Sequence, residues 1–142
     1  IAGRLSQQYG LDIVIAGSPD EMALADELAG LMPAKAANLA GRTNIPELVE
    51  VLRGARFIVG NDTGPTHIAA ALGVSVVIIF GLINPARLYP YGKRECVAAV
   101  DPWTRPEGIR TDNMQYRVEN VTIEMVWEKV VEQMKDVSGP KR

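Results

Sequence analysis

Apolar residues along the chain alternate between two rhythms. Residues 11–16, 57–59 and 75–80 are short apolar runs rich in Ile and Val, the pattern of strands buried in a parallel sheet. Residues 36–39 and 96–100 read as two further short strands. Helical spacing separates these runs. Leu5 and Tyr9 stand four apart ahead of Gly10. Met22, Leu24, Ala25, Leu28, Ala29 and Met32 repeat toward Pro33, and Ile45, Leu48, Val49 and Leu52 repeat toward Gly54. The small-residue stretch 66–72 stops at Gly73. Met125, Val126, Val130 and Met134 carry a last helix that begins after Thr122 and ends near Val137. Strands alternating with helices predict an α/β fold with a doubly wound parallel sheet. Residues 81–91 predict a loop with one helical turn at 85–88. Residues 101–117 predict an irregular segment, and residues 138–142 a frayed tail.

A length of 142 residues fits one domain. The hydrophobic share of 47% and charged share of 23% are those of an ordinary globular protein. A net charge of −2 gives no electrostatic reason to expect nucleic acid or a general attraction to anionic lipid. The single cysteine, Cys96, excludes an internal disulfide and a cysteine-based metal cluster, and the single histidine, His67, excludes a multi-histidine metal site within this chain. The longest apolar run, residues 74–80, is far too short to span a bilayer. Residues 1–10 lack the apolar core and cleavage site of a signal peptide. The chain starts at Ile1 rather than Met, so it reads as a piece of a longer protein.

Four loops follow the apolar runs at their carboxyl ends: residues 17–21, 41–44, 60–67 and 81–91. In a parallel sheet such loops share one edge, which is where ligands bind. Each combines glycine with small polar residues, yet none is a Walker A sequence or a G-x-G-x-x-G fingerprint. The third is the richest. The run Phe57–Val59 is predicted to break at Gly60 into a turn carrying Asn61, Asp62, Thr63 and His67, and a helix resumes at Thr66. A helix N-terminus in that place offers free N–H groups and a positive dipole end to an anion. Gly64 leaves room for a ligand against the backbone, and Pro65 suits a first helical turn.

Individual residues in these loops carry two readings each. Asp62 can accept hydrogen bonds from sugar hydroxyls, or it can cap the helix at Thr66. His67 can donate to a phosphate or act as an acid, or it can pack against a neighbouring loop. Glu21 can hold ribose hydroxyls or complement its helix dipole. Thr43 or Asn44 caps the helix that follows. Arg87, Lys93 and Arg94 can approach phosphate, although at least two suit solvated surface positions. Trp103 and Tyr116 can flank a ligand or cover a core edge. Cys96 suits a small buried hydrophobe.

The stretch 57–73, F-I-V-G-N-D-T-G-P-T-H-I-A-A-A-L-G, resembles the signature of the ADP-heptose:lipopolysaccharide heptosyltransferases, glycosyltransferase family 9. The segment G-L-I-N-P-A-R-L-Y-P-Y-G, residues 81–92, is similar to that family's following loop. Leu39-Ala40-Gly41-Arg42-Thr43 with Pro46-Glu47-Leu48 resembles its L-x-G-x-T…E-L element, and residues 17–21 resemble its G-x-x-x-E turn. The resemblance implies the C-terminal, nucleotide-sugar-binding domain of a GT-B enzyme, here residues 1–137 with the first strand missing. It implies that Asp62, Thr63 and Gly64 meet the donor's heptose and diphosphate and that His67 lies near the phosphates. It implies that Glu21 holds the ribose, and that the loop containing Thr43 lines the adenine pocket. The implied reaction moves heptose from ADP-heptose to an inner-core lipopolysaccharide acceptor, with inversion and without metal or cofactor. The implied setting is the cytoplasm, with at most peripheral contact at the inner membrane. The family's catalytic base belongs to an N-terminal domain that these residues do not include, so the chain alone is expected not to catalyse transfer. Other readings of the residues are another GT-B glycosyltransferase, a sugar-nucleotide epimerase, whose pattern fits less well, and a noncatalytic nucleotide-sugar binding module.

Overall fold

The computed structural model describes residues 1–32 and 36–137. The expected helix stop at Pro33 and the expected tail at 138–142 lie outside the described residues. Contacts cluster into two units, Ile1–Leu48 and Val49–Arg142, with the division inside the helix Ile45–Gly54.

In the first unit, α1 (Ala2–Tyr9) ends at Gly10, whose φ of 63° is left-handed and whose N–H donates to the Ser6 carbonyl. Strand β1 (Ile13–Ile15) pairs in parallel with β2 (Ala36–Asn38), Ile13 opposite Ala36 and Ile15 opposite Asn38. A single turn of 3-10 helix, Pro19–Glu21, leads into α2 (Met22–Gly30). Helix α3 (Ile45–Gly54) starts from Asn44, not Thr43. The Asn44 Oδ1 accepts from the Glu47 N–H at 2.9 Å, and Glu47 Oε2 accepts from the Asn44 N–H at 2.8 Å. The expected buried strand at 11–16 is shorter than its apolar run. It is also half open: β1 and β2 form a two-stranded sheet, and Val14 on one face is 50% exposed.

The second unit holds β3 (Phe57–Asn61), α4 (Gly64–Ala71), β4 (Ser75–Ile79), α5 (Pro85–Leu88), β5 (Val97–Ala98) and α6 (Ile123–Val137). Its strands form a parallel sheet in the order β3-β4-β5, with Phe57 opposite Ser75 and Asn61 opposite Ile79. A central parallel strand is covered on both faces, so its apolar run need not alternate. Accordingly Val76, Val77, Ile78 and the following Phe80 are all fully buried. Helix α4 packs on β3 and β4 with Ala69 and Ala70 buried. Helix α6 packs on β4 and β5 with Val126, Val130 and Met134 buried at four-residue spacing. Removing such side chains from water contributes about 1.5–3 kcal/mol for each large one. The Thr122 Oγ1 accepts from the Met125 N–H at 3.2 Å and caps α6 as expected.

Boundaries in the second unit also differ from the sequence reading. Strand β3 does not break at Gly60 but runs on to Asn61, and the Asp62 N–H continues the ladder to the Ile79 carbonyl at 3.0 Å. Gly60 serves packing instead, since a Cβ there would lie 2.6 Å from Thr66 Cγ2. Helix α4 begins at Gly64, two residues earlier than Thr66. Strand β5 is only Val97–Ala98, because Arg94–Cys96 coils into a 3-10 turn.

The segment expected to be irregular is a strap over the exit of β4. The Asn84 N–H donates to the Ile109 carbonyl at 2.7 Å, the Thr111 N–H donates to the Leu82 carbonyl at 3.1 Å, and Ile83 bridges Arg110 antiparallel. Arg105, 9% exposed, is its anchor. Its Nη1 donates to the Gly81 and Ile83 carbonyls at 2.6 and 2.9 Å. Its Nε and Nη2 donate to the Val100 carbonyl at 3.0 and 2.8 Å, and its guanidinium lies 4.5 Å from the Tyr116 ring centre.

Candidate functional site

In the second unit, the turn from β3 into α4 concentrates the polar chemistry. Thr63 takes the N-cap position with extended backbone, φ −142° and ψ 165°. The Thr66 hydroxyl lies 2.8 Å from the carbonyls of both Asn61 and Thr63, which pins the turn beneath the first helical residues. The cap being Thr63, the Asp62 carboxylate is not spent on the helix. It lies 2.6 Å from His67 instead, Oδ1 against Nε2. A carboxylate can only accept there, so Nε2 carries the proton and donates. The Asp62 side chain is 16% exposed and that of His67 35% exposed. Both readings of His67 therefore meet in one geometry: it is tied to a neighbour, and it still faces solvent.

The first-turn N–H groups of an α-helix lack partners inside the helix. In α4 these are Gly64 and Thr66, Pro65 contributing none; the Thr63 side chain takes the Thr66 N–H, which leaves that of Gly64. A Cβ at Gly64 would meet nothing within 4 Å, so the protein's own packing does not require glycine there. The space beside Gly64 is open.

Strand β4 exits beside this turn, because Asn61 and Ile79 are register partners. Beyond it, Gly81, Leu82 and Ile83 form one wall of a groove of about 290 Å³, with Arg110, Arg117, Val118 and Glu119 opposite. Arg117 donates to Glu119 at 2.9 Å. Among the basic candidates, the Arg94 guanidinium stacks 4.2 Å from the Trp103 ring centre and Lys93 reaches the Val74 carbonyl at 3.5 Å, whereas Arg87 is exposed. Trp103 also meets Tyr89 edge-on at 5.4 Å, and Tyr116 is buried under Arg105. Tyr116 thus belongs to the core, while Trp103 is half-buried between Arg94 and Tyr89. Cys96 is buried, and burial, followed by the nearby Glu95, pushes its thiol up to about 11.

In the first unit, the loops after β1 and β2 interlock. The Gly41 N–H donates to the Gly17 carbonyl at 2.9 Å. Gly41 has φ +68°, and a Cβ on it would strike Met22 Sδ at 2.7 Å, so only glycine fits. Glu21 Oε2 accepts from the Ser18 N–H at 2.8 Å and from the Ser18 hydroxyl at 2.9 Å. These two bonds, the backbone one first, hold its carboxyl below the ordinary glutamate value. Its other oxygen and the Thr43 hydroxyl have no partner among the described residues.

Arg105 is the residue that sequence reasoning missed. Nothing local marks it among the charges of residues 101–117. Its signal is the burial of a long cation, which only the tertiary structure reveals.

These features define an α/β protein with parallel strands and a polar strand-to-helix turn at the carboxyl edge, the edge at which such folds take ligands. No helix among the described residues is long and apolar enough to cross a membrane. The chain belongs to glycosyltransferase family 9 (heptosyltransferase), whose family model matches residues 2–117. It is 26% identical over 98 residues to the lipopolysaccharide core heptosyltransferase OpsX of Haemophilus influenzae, covering 68% of this chain and 28% of that protein. It is 38% identical over 78 residues to lipopolysaccharide heptosyltransferase 3 of Escherichia coli K12, covering 53% of this chain and 23% of that one. The structure of E. coli ADP-heptose lps heptosyltransferase II superposes with a TM-score of 0.75 at 23% identity, covering 97% of this chain and 41% of that one. The chain thus spans well under half the length of these relatives.

Proposed function

We propose that this chain is the donor-binding part of a heptosyltransferase that moves heptose from ADP-heptose to the inner core of lipopolysaccharide. The observation that carries the reading is the turn 61–67, which lies inside the family match and joins a helix N-terminus open at Gly64 to a solvent-facing Asp62–His67 pair. In this reading the Gly64 amide at the start of α4 receives the diphosphate, and the helix dipole stabilises the charge that develops on it as the glycosidic bond breaks. Asp62, Thr63 and Gly64 meet the sugar and diphosphate, and His67 faces the phosphates. Glu21, through its uncommitted oxygen, takes the ribose, and the loop with Thr43 takes the adenine. The acceptor hydroxyl attacks the anomeric carbon from the face opposite the leaving ADP, which inverts the configuration. The base that takes its proton is a carboxylate of an N-terminal domain, so these residues alone bind donor without turning it over. Transfer needs no metal in this scheme. The enzyme works in the cytoplasm, at most peripherally at the inner membrane, where its acceptor is presented.

Thermal unfolding with and without nucleotide sugars tests the reading. A ligand that binds only the folded chain raises the melting temperature, and a concentration one hundred times Kd contributes about 2.7 kcal/mol. ADP-heptose is expected to raise it and UDP-sugars to leave it unchanged. A shift with UDP-sugars only rejects the ADP-heptose assignment, and measurable heptose transfer by residues 1–142 alone rejects the dependence on a second domain.

A further inference from the structure

We infer that Asp62 is the positioning residue of His67: it accepts the Nε2–H and so aims Nδ1, which takes up a solvent proton as the imidazolium forms, to donate its own N–H to a ligand phosphate. The same carboxylate keeps Oδ2 for a sugar hydroxyl. The inference rests on the nucleotide-sugar reading above and adds a coupling between its two halves.

Both ends of the pair are anchored by the backbone. The Asp62 N–H is held by the Ile79 carbonyl on the central strand at 3.0 Å, so the carboxylate projects from the sheet and not from a loose loop. The His67 N–H lies 3.4 Å from the Thr63 carbonyl within the first turn of α4. Between them the contact is 2.6 Å, a short hydrogen bond from a ring N–H to a carboxylate. It commits one atom on each side. Asp62 Oδ2 and His67 Nδ1 have no partner among the described residues, although both side chains remain partly exposed. The helix cap is supplied by Thr63, so the fold does not need an acid at position 62.

The consequence is a two-handed carboxylate. One oxygen orients the group that meets phosphate, and the other meets the sugar. Removing Asp62 therefore weakens phosphate recognition even when the ligand carries no sugar to be transferred.

His67 is the single histidine of the chain, so a histidine-labelled sample gives one imidazole in a long-range proton–nitrogen spectrum without assignment. The expected spectrum of the free chain shows a protonated Nε2 with a low-field proton. Adding ADP is expected to move Nδ1 and leave Nε2 in place. Asp62→Ala should remove the low-field proton and weaken ADP binding about tenfold, the factor equivalent to one such bond. Asp62→Asn, which still offers an acceptor oxygen, should retain most of the affinity. In a His67→Gln background Asp62→Ala should cost ADP binding nothing more. Additive losses in the double variant, or ADP moving Nε2, overturn the inference while leaving the nucleotide reading standing. An absent low-field proton overturns it directly. A wild-type chain that shows the low-field proton and binds no ADP rejects the nucleotide reading, and with it any ligand-facing role for Nδ1.

Discussion

Replacing Arg105 with Met keeps a long apolar stem and removes the guanidinium that joins three carbonyls of the second unit. The Gly81, Ile83 and Val100 carbonyls lose their charged donor, and the Tyr116 ring loses a cation 4.5 Å from its centre. Leaving a buried acceptor unpaired costs about 1–3 kcal/mol, so three carbonyls at the low end give about 3 kcal/mol. The ring contact adds about 1 kcal/mol. Relief of the guanidinium's own desolvation, the leading cause that pulls its pKa below the ordinary arginine value, offsets part of this. A net loss of about 3 kcal/mol is a large fraction of the 5–15 kcal/mol that holds a typical domain together. Urea unfolding followed by tryptophan fluorescence measures it in the right place, since Trp103 and Trp127 both lie in the unit of Val49–Arg142. With a slope of about 1.5 kcal/mol/M, the midpoint falls by about 2 M. Arg105→Lys keeps the charge but not the planar fork, and should lose about half as much. A Met variant that unfolds within about 0.3 M of the wild type would show that water replaces the clamp at little cost, and the reading of Arg105 as the anchor of the strap would fall.

Other expectations follow from single distances. Gly60→Ala forces a Cβ to 2.6 Å from Thr66 Cγ2 and should destabilise by about 1–3 kcal/mol in the same urea titration, whereas Gly64→Ala, with open space around it, should leave stability within about 0.5 kcal/mol and reduce ligand-induced stabilisation. Cys96, fully buried with its thiol raised to about 11, should resist a thiol reagent at pH 8 in the folded chain and react once urea unfolds it; prompt reaction of the native chain would contradict its burial. Glu21 has a folded-state pKa below its unfolded value. The stabilisation it adds to the Pro19–Glu21 turn is therefore complete above the unfolded pKa and lost as pH falls through the folded one. A carboxyl titration followed by NMR should place its midpoint below that of an exposed glutamate, and Ser18→Ala should move it upward; an unshifted midpoint would remove the Ser18 bonds from the account.

Much of the fold was legible from residue order alone, where the determining forces act over a few residues. Apolar runs marked β4 because a central strand needs no alternation, and the Thr122 cap marked the start of α6 through a contact three residues long. The turn 61–67 was legible for a similar reason, since glycine, proline and small polar residues restrict a chain locally. What stayed ambiguous was every question whose answer lies across the fold. Capping by Asp62 and ligand binding by Asp62 are equal options until Thr63 is seen in the cap and the carboxylate on His67, five residues on and a helical turn away. The strand reads as ending at Gly60 because glycine is a local breaker, yet the ladder with β4 carries it to Asn61, and the true reason for the glycine is the methyl group of Thr66 above it. Likewise Arg105 is one charge among many until three carbonyls, from residues 81 to 100, converge on it. Local sequence determined where strands, helices and the polar turn would form, because propensity and capping are short-range. Only the tertiary structure decided which polar atoms are committed and which remain open, because that depends on neighbours brought together by the packing of the sheet.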